Sequence, residues 1–190
     1  MKKRNKIKKI ILSLLLTTSF YSHADELVYG ALAVETGVFD VGSSEFDVSA
    51  LQLGLSGAIA SSNIVFSISA ASGTVDDVAG YDLDFVARGI SLGYALGDIT
   101  TGSFVLGATY SSGEIQNPGS SNIETSNTEP YIGYSKMSGE GVDYKVSISD
   151  GIFNATAIIP SGFTENFKTL IGYGTSEDID TLTFGVAYKF

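Results

Sequence analysis

Residues 182–190 read Leu-Thr-Phe-Gly-Val-Ala-Tyr-Lys-Phe, a strict alternation of large apolar residues with small or polar ones. Side chains of an extended chain point alternately to opposite faces. Leu182, Phe184, Val186, Tyr188 and Phe190 therefore share one face of a strand, and Thr183, Gly185, Ala187 and Lys189 share the other. The same period returns upstream. Leu51, Leu53, Leu55, Gly57 and Ile59 oppose Gln52, Gly54, Ser56 and Ala58; Ile64, Phe66, Ile68 and Ala70 oppose Val65, Ser67, Ser69 and Ala71. Ile90, Leu92, Tyr94 and Leu96 oppose Ser91, Gly93 and Ala95; Phe104, Leu106, Ala108 and Tyr110 oppose Val105, Gly107, Thr109 and Ser111. Val142, Tyr144, Val146 and Ile148 oppose Asp143, Lys145, Ser147 and Ser149. Residues 27–38, 128–136, 152–159 and 166–173 carry the pattern more weakly. With 22 Gly and only 3 Pro, the chain suits many strands and tight turns better than helices.

Alternating strands build soluble sandwiches as well as membrane barrels, and the second face separates them. A sandwich face that meets water is studded with charge. Here that face is mostly Gly, Ala, Ser and Thr, and the apolar faces carry no charge in their middles. Arg88 and Lys136 fall on apolar faces by phase, and both are expected at strand ends. There the cost of a cation, about 2–4 kcal/mol at mid-membrane, fades. Lipid also requires every backbone polar group to be paired, which a closed barrel achieves without an edge. The expected fold is all-β, a transmembrane antiparallel up-and-down β-barrel. Short turns at Ala60–Asn63, Gly97–Thr101, Ser138–Gly141 and Pro160–Asn166, with loops near 39–46, 72–82, 112–127, 149–152 and 174–179, make ten strands. Eight follow if residues 150–178 form one long loop.

The last strand also carries a resemblance. Phe190, preceded two residues earlier by Tyr188, resembles the C-terminal strand of Gram-negative outer-membrane β-barrels, which finish on Phe with an aromatic at that spacing. The resemblance is specific over about the last ten residues and generic elsewhere. It implies that Phe190 and Tyr188 form an assembly signal read by the barrel-assembly machinery. It further implies surroundings of outer-membrane lipid and lipopolysaccharide.

The N-terminal end fits the same address. Lys2, Lys3, Arg4, Lys6, Lys8 and Lys9 precede the apolar run Ile10–Leu16, and Ser22-His23-Ala24 supplies a small-x-small exit. Basic head, short apolar middle and small-residue exit are the parts of a secretory signal. A spanning helix needs about 20 apolar residues, far more than this run. Residues 1–24 are expected to be a signal peptide and 25–190 the barrel. That barrel would keep only Arg88, Lys136, Lys145, Lys168 and Lys189 against 21 acidic residues, a balance that argues against nucleic acid as a partner. The chain has no cysteine, so no disulfide supports the fold.

Catalytic candidates are scarce. The only histidine, His23, lies in the expected leader, which leaves residues 25–190 without the imidazole of a Ser-His-acid triad or the preferred ligands of zinc. Outer-membrane barrel enzymes generally rely on histidine, so the resemblance brings no activity with it. No catalytic residue, metal site or cofactor is assigned. Acidic residues concentrate in the expected loops: Asp40, Glu45 and Asp47; Asp76, Asp77, Asp82 and Asp84; Glu114 and Glu124; Glu177 and Asp178. They read chiefly as a solvated, self-repelling rim, with divalent cations as possible partners. Five charges fall on inward faces by phase: Glu35, Glu129, Asp143, Lys145 and Lys168. They are expected either to pair as a salt-bridged plug or to line a constriction. Tyr29, Tyr94, Tyr110, Tyr134, Tyr144, Tyr173 and Tyr188 are candidates for interfacial girdles. The expected function is a non-enzymatic envelope or surface barrel. The alternative is a narrow diffusion channel with cation preference.

Overall fold

The computed structural model describes residues 26–41, 44–78, 80–116, 121–162 and 164–190, so the expected signal peptide lies outside the described residues. Ten strands run in chain order: β1 (Glu26–Val41), β2 (Ser44–Ile59), β3 (Ile64–Val78), β4 (Tyr81–Ala95), β5 (Ser103–Gln116), β6 (Ile123–Lys136), β7 (Asp143–Ser149), β8 (Ile152–Pro160), β9 (Phe167–Thr175) and β10 (Ile179–Lys189). Each pairs antiparallel with its sequence neighbours, and β1 pairs with β10 to close the barrel. The closing seam runs from Tyr29↔Lys189 to Phe39↔Ile179. Phe190 extends it by one rung, donating its N–H to the carbonyl of Val28 at 3.0 Å. The eight-stranded alternative is excluded, because residues 152–160 and 167–175 are paired strands.

One end of the barrel carries the short connections and will be called the turn end. A 3-10 turn, Ala60–Ser62, joins β2 to β3 there, closed by Asn63 in the left-handed region at φ 56°. Asparagine tolerates that conformation better than most residues. At the opposite, loop end, Asp150 and Gly151 connect β7 to β8 with φ of 40° and 78°. Two positive φ values in a two-residue connection are the geometry that matches strand twist, and Asp-Gly is well suited to it.

Three expected loops are strand instead. Pairing continues to Val41↔Ser44, to Val78↔Tyr81, and to Ile115↔Ile123. Residues 39–41, 44–46, 72–78, 81–82 and much of 112–127 therefore extend the wall. The reason is physical. Apolar alternation marks only the part of a strand that faces lipid, while backbone pairing continues into water with polar side chains on both faces. The acidic residues expected in loops, Asp40, Glu45, Asp47, Asp76, Asp82, Asp84, Glu114 and Glu124 among them, lie on these extensions. Strands β1 to β6 are 14–16 residues long, whereas β7, β8 and β9 have 7, 9 and 9. The rim consequently steps down sharply between β6 and β7, which pair only from Ile132↔Ile148 to Lys136↔Tyr144.

The outward face is a continuous apolar belt. Leu32, Leu51, Ile68, Leu92, Leu106, Ile132, Ile148, Ile171 and Phe184 all lie on it and are exposed, Leu92 by 60% and Phe184 by 55%. Soluble monomers rarely expose contiguous apolar patches beyond a few hundred Å². A belt that rings the whole barrel is what a bilayer core accommodates and water does not. Aromatic rings edge it. Towards the turn end, Phe104 meets Tyr134 at 5.3 Å, and Tyr188 meets both Phe167 and Phe190 at 5.2 Å. Towards the loop end, Phe153 and Tyr173 lie 6.5 Å apart. Tyr29 is a correction: it points inward and is 1% exposed, so it belongs to no girdle. Arg88 is another. It lies in the middle of β4 rather than at its end, yet Asp84 and Asp82 continue the same face beyond it, so Arg88 stands at the upper edge of the belt. Lys136 is the final residue of β6, as expected.

Candidate functional site in the barrel lumen

Small inward residues leave room inside a ten-stranded wall, and a few large ones fill one end of it. Val65, Ala95 and Val105 on the strands and Ile99 and Met137 from the turns form one buried cluster with Tyr29, Tyr131 and Ile158 at the turn end. The two turns fold over the mouth and hold each other, the Met137 N–H donating to the carbonyl of Ile99 at 2.9 Å. Tyr131 lies along the inner wall on one rung. It pairs in register with Gly107, which pairs with Gly93. Its ring lies over both glycines: a Cβ at Gly93 would stand 2.2 Å from the Tyr131 hydroxyl, and one at Gly107 would stand 2.6 Å from its ring. Glycine is required there because the ring occupies the space a side chain would fill.

Asp143 fixes the plug's polar side. It is 2% exposed. One carboxylate oxygen accepts from the Ser138 backbone N–H at 2.8 Å and the Ser138 hydroxyl at 3.0 Å; the other accepts from the Gly139 N–H at 2.9 Å and from the hydroxyl of Tyr29. Two oxygens offer about four acceptor positions, and all are used. Lys189 adds a 3.3 Å hydrogen bond to the Gly139 carbonyl, so the 138–141 turn is held from two sides. In the neighbouring 97–101 turn, Asp98 accepts from the Thr100 hydroxyl at 2.7 Å and its backbone N–H at 2.8 Å. Those hydrogen bonds, the hydroxyl's first, hold the Asp98 carboxyl below the usual carboxylate range.

The five inward charges do not form one constellation. Glu35 accepts from Gln52 on the adjacent strand. Glu129 accepts from the Ser149 hydroxyl at 3.0 Å and from Asn127. Lys168 is buried near the turn-end mouth. Lys145 sits 4.8 Å from the centroid of the Tyr131 ring. Neither lysine forms a salt bridge with a described carboxylate. The expected salt-bridged plug is thus an apolar plug pinned by one hydrogen-bonded carboxylate. Apolar packing fills the mouth at lower cost, since each buried ion carries a desolvation penalty of several kcal/mol. Between this plug and the loop end lies a cavity of 370 Å³, lined by Ser and Thr hydroxyls, Lys145, the Asp143 carboxylate and apolar side chains such as Val65, Met137 and Ile158.

Sequence reasoning missed Tyr131, Ile99 and Met137. The inner-face glycines Gly93 and Gly107 were the available signal for Tyr131, because small residues on facing strands make room for a large one. Turn residues such as Ile99 and Met137 have no strand phase to read. Among the described residues, no three His, Cys, Asp or Glu side chains converge on a metal-binding geometry.

A closed wall, an encircling apolar belt and a turn end packed with side chains define a transmembrane antiparallel β-barrel plugged at one end. No protein-family model matches the chain, and no curated protein does. Among solved structures it is similar to Ail, the attachment invasion locus protein of Yersinia pestis, in complex with the heparin analogue sucrose octasulfate. That likeness has 12% identity over 87% of this chain and 99% of Ail, with TM-score 0.44. It is also similar to Neisserial surface protein A, at 12% identity over 87% of this chain and 96% of that one, TM-score 0.41. The translocator domain of the autotransporter NalP from Neisseria meningitidis gives 10% identity, 100% and 96% coverage and TM-score 0.47.

Proposed function

We propose that this chain is an integral outer-membrane barrel, exported by its N-terminal leader, that serves the cell envelope as a closed, non-enzymatic surface protein. The turn end would face the periplasm and the tall, acidic hairpins of β1 to β6 the exterior. Outer-membrane lipid and lipopolysaccharide would surround the apolar belt, and the barrel-assembly machinery would read the strand ending in Tyr188 and Phe190.

The observation that carries this reading is the buried plug of Tyr29, Ile99, Tyr131, Met137 and their neighbours. Barrels near eight strands are filled by side chains, whereas open diffusion pores use about 16 or more. A cation-preferring channel fits less well, because apolar side chains pack together at the turn end and Lys145 stands above them. Planar-bilayer recording on refolded protein tests the proposal. No steady conductance is expected from the wild type, and the paired truncations Tyr131→Ala and Met137→Ala should produce open steps. Wild-type steps of constant size would overturn it. Carbonate extraction of envelopes tests the address independently: the protein should stay in the membrane pellet.

A further inference from the structure

We propose that the cavity above the plug binds a small free oxyanion, of the phosphate or carboxylate type, with Lys145 as its charged anchor. The inference begins with charge. Lys145 projects inward from β7, and among the described residues its ammonium is partnered by the face of Tyr131. Asp143, two residues away on the same face, has all its acceptor positions taken by Tyr29, Ser138 and Gly139. Glu129 is engaged by Asn127 and Ser149, and Glu35 by Gln52. An ammonium drawn out of bulk water without an anion keeps much of its desolvation cost, and an entering anion offsets it.

The lining supplies the complement. Hydroxyls of Ser67, Ser91, Thr109, Ser147 and Thr156 face the same 370 Å³ space. Ser91 is 5% exposed; its Oγ lies beside the Tyr131 hydroxyl, and neither oxygen has a further hydrogen-bond partner among the described residues. Native structures rarely leave such a group unmatched. One cation and a ring of hydroxyl donors suit the several acceptor lone pairs of an oxyanion, and charge-assisted hydrogen bonds are the stronger kind. The volume equals that of about a dozen waters at roughly 30 Å³ each. That admits phosphate with residual hydration and excludes a lipid with its chains. Entry is from the loop end, since the plug closes the other. It is shortest over the β7–β8 hairpin, whose strands have only 7 and 9 residues.

The test uses residues 25–190 refolded in detergent micelles, with inorganic phosphate as the probe, acetate as a second oxyanion and sodium chloride at matched ionic strength as control. Amide NMR shifts and titration calorimetry are read together. Saturable phosphate shifts are expected at Ser91, Lys145 and Ser147 and not at the outward Leu92 or Val146. Lys145→Met should weaken binding about tenfold or more, and Ser91→Ala less, in line with a charge-assisted against a neutral hydrogen bond. Wild-type titration alone decides the matter if Lys145→Met fails to fold. Absence of saturable shifts in the cavity, or a folded Lys145→Met barrel that binds phosphate as the wild type does, overturns the proposal.

Discussion

Tyr29 on β1 and Asp143 on β7 meet across the lumen, the tyrosine hydroxyl donating to a carboxylate that also caps the 138–141 turn. In barrel order these strands are separated by β8, β9 and β10 on one side and by β2 to β6 on the other. The contact therefore braces nearly opposite walls. Asp143→Asn keeps the shape but replaces an acceptor with a donor where Tyr29 and Gly139 both donate. A loss of about 1–3 kcal/mol is expected, the cost of buried groups left unmatched. Tyr29→Phe removes one charge-assisted hydrogen bond and should cost about 1.5–3 kcal/mol. Urea unfolding in lipid vesicles measures both, and the absence of a loss in either variant would contradict the bracing role of the carboxylate.

Gly93 should resist enlargement because Tyr131 lies over it. Gly93→Ala is expected to destabilise by about 1–3 kcal/mol, the usual cost of overpacking. Removing the tyrosine hydroxyl should return part of that loss. A double-mutant cycle of Gly93→Ala with Tyr131→Phe reads the coupling directly. Strict additivity would show that the hydroxyl is not what the new methyl meets.

Leu92 and Arg88 share a face of β4 but stand at different depths. Leu92→Arg places a cation in the belt and should cost about 2–4 kcal/mol in vesicles, while Arg88→Leu should change stability by no more than about 1 kcal/mol. Reversible unfolding in bilayers of fixed thickness checks the contrast. Similar costs for the two substitutions would mean that the belt edge is misassigned.

Phe190 packs its ring against the space over Gly30, whose Cβ would come within 3.1 Å of it, and edge-on to Tyr188 at 5.2 Å. Phe190→Ala should slow insertion while leaving export unaffected. The heat-modifiable, folded fraction in envelopes should fall relative to wild type. A normal folded fraction would remove Phe190 from the assembly signal.

Asp98 gives the molecule an acid-sensitive turn. Its carboxyl is held below the usual range, chiefly by the Thr100 hydroxyl and then by the Thr100 N–H. A depressed carboxyl contributes its full stabilisation above the unfolded-state value and loses it as pH falls through the folded-state value. Amide exchange at Thr100 should remain protected at neutral and mildly acidic pH and accelerate only in stronger acid. Acceleration near neutrality would contradict this.

Much of the wall is legible in the sequence. Alternation such as Leu51–Ile59 and Leu182–Phe190 assigns the lipid-facing side by residue, because one physical requirement, apolar outward, repeats at every second position. The four short turns followed from breaks in that rhythm. Elsewhere the rhythm was silent. Beyond the belt both faces are polar, so nothing in residues 72–82 distinguishes a paired strand from a loop. The plug was hidden for a different reason. Ile99 and Met137 lie in turns and are buried by the way two turns fold together, a tertiary relation that carries no period. Tyr29 is ambiguous in sequence because a tyrosine suits both an interfacial girdle and a hydrogen-bonded interior, and only its phase relative to Leu32 and Val34 separates the two.

The seam that joins Tyr29 to Lys189 has a kinetic consequence. Every other strand pair is a local hairpin, whereas these rungs connect the two extremities of the barrel domain. Loop-closure entropy makes such contacts slow to form and places them late in folding. Until they form, β1 and β10 are both open edges inviting intermolecular pairing. Aggregation during refolding should accordingly begin at these two strands, and a host cell has most reason to chaperone the chain during the interval before they meet.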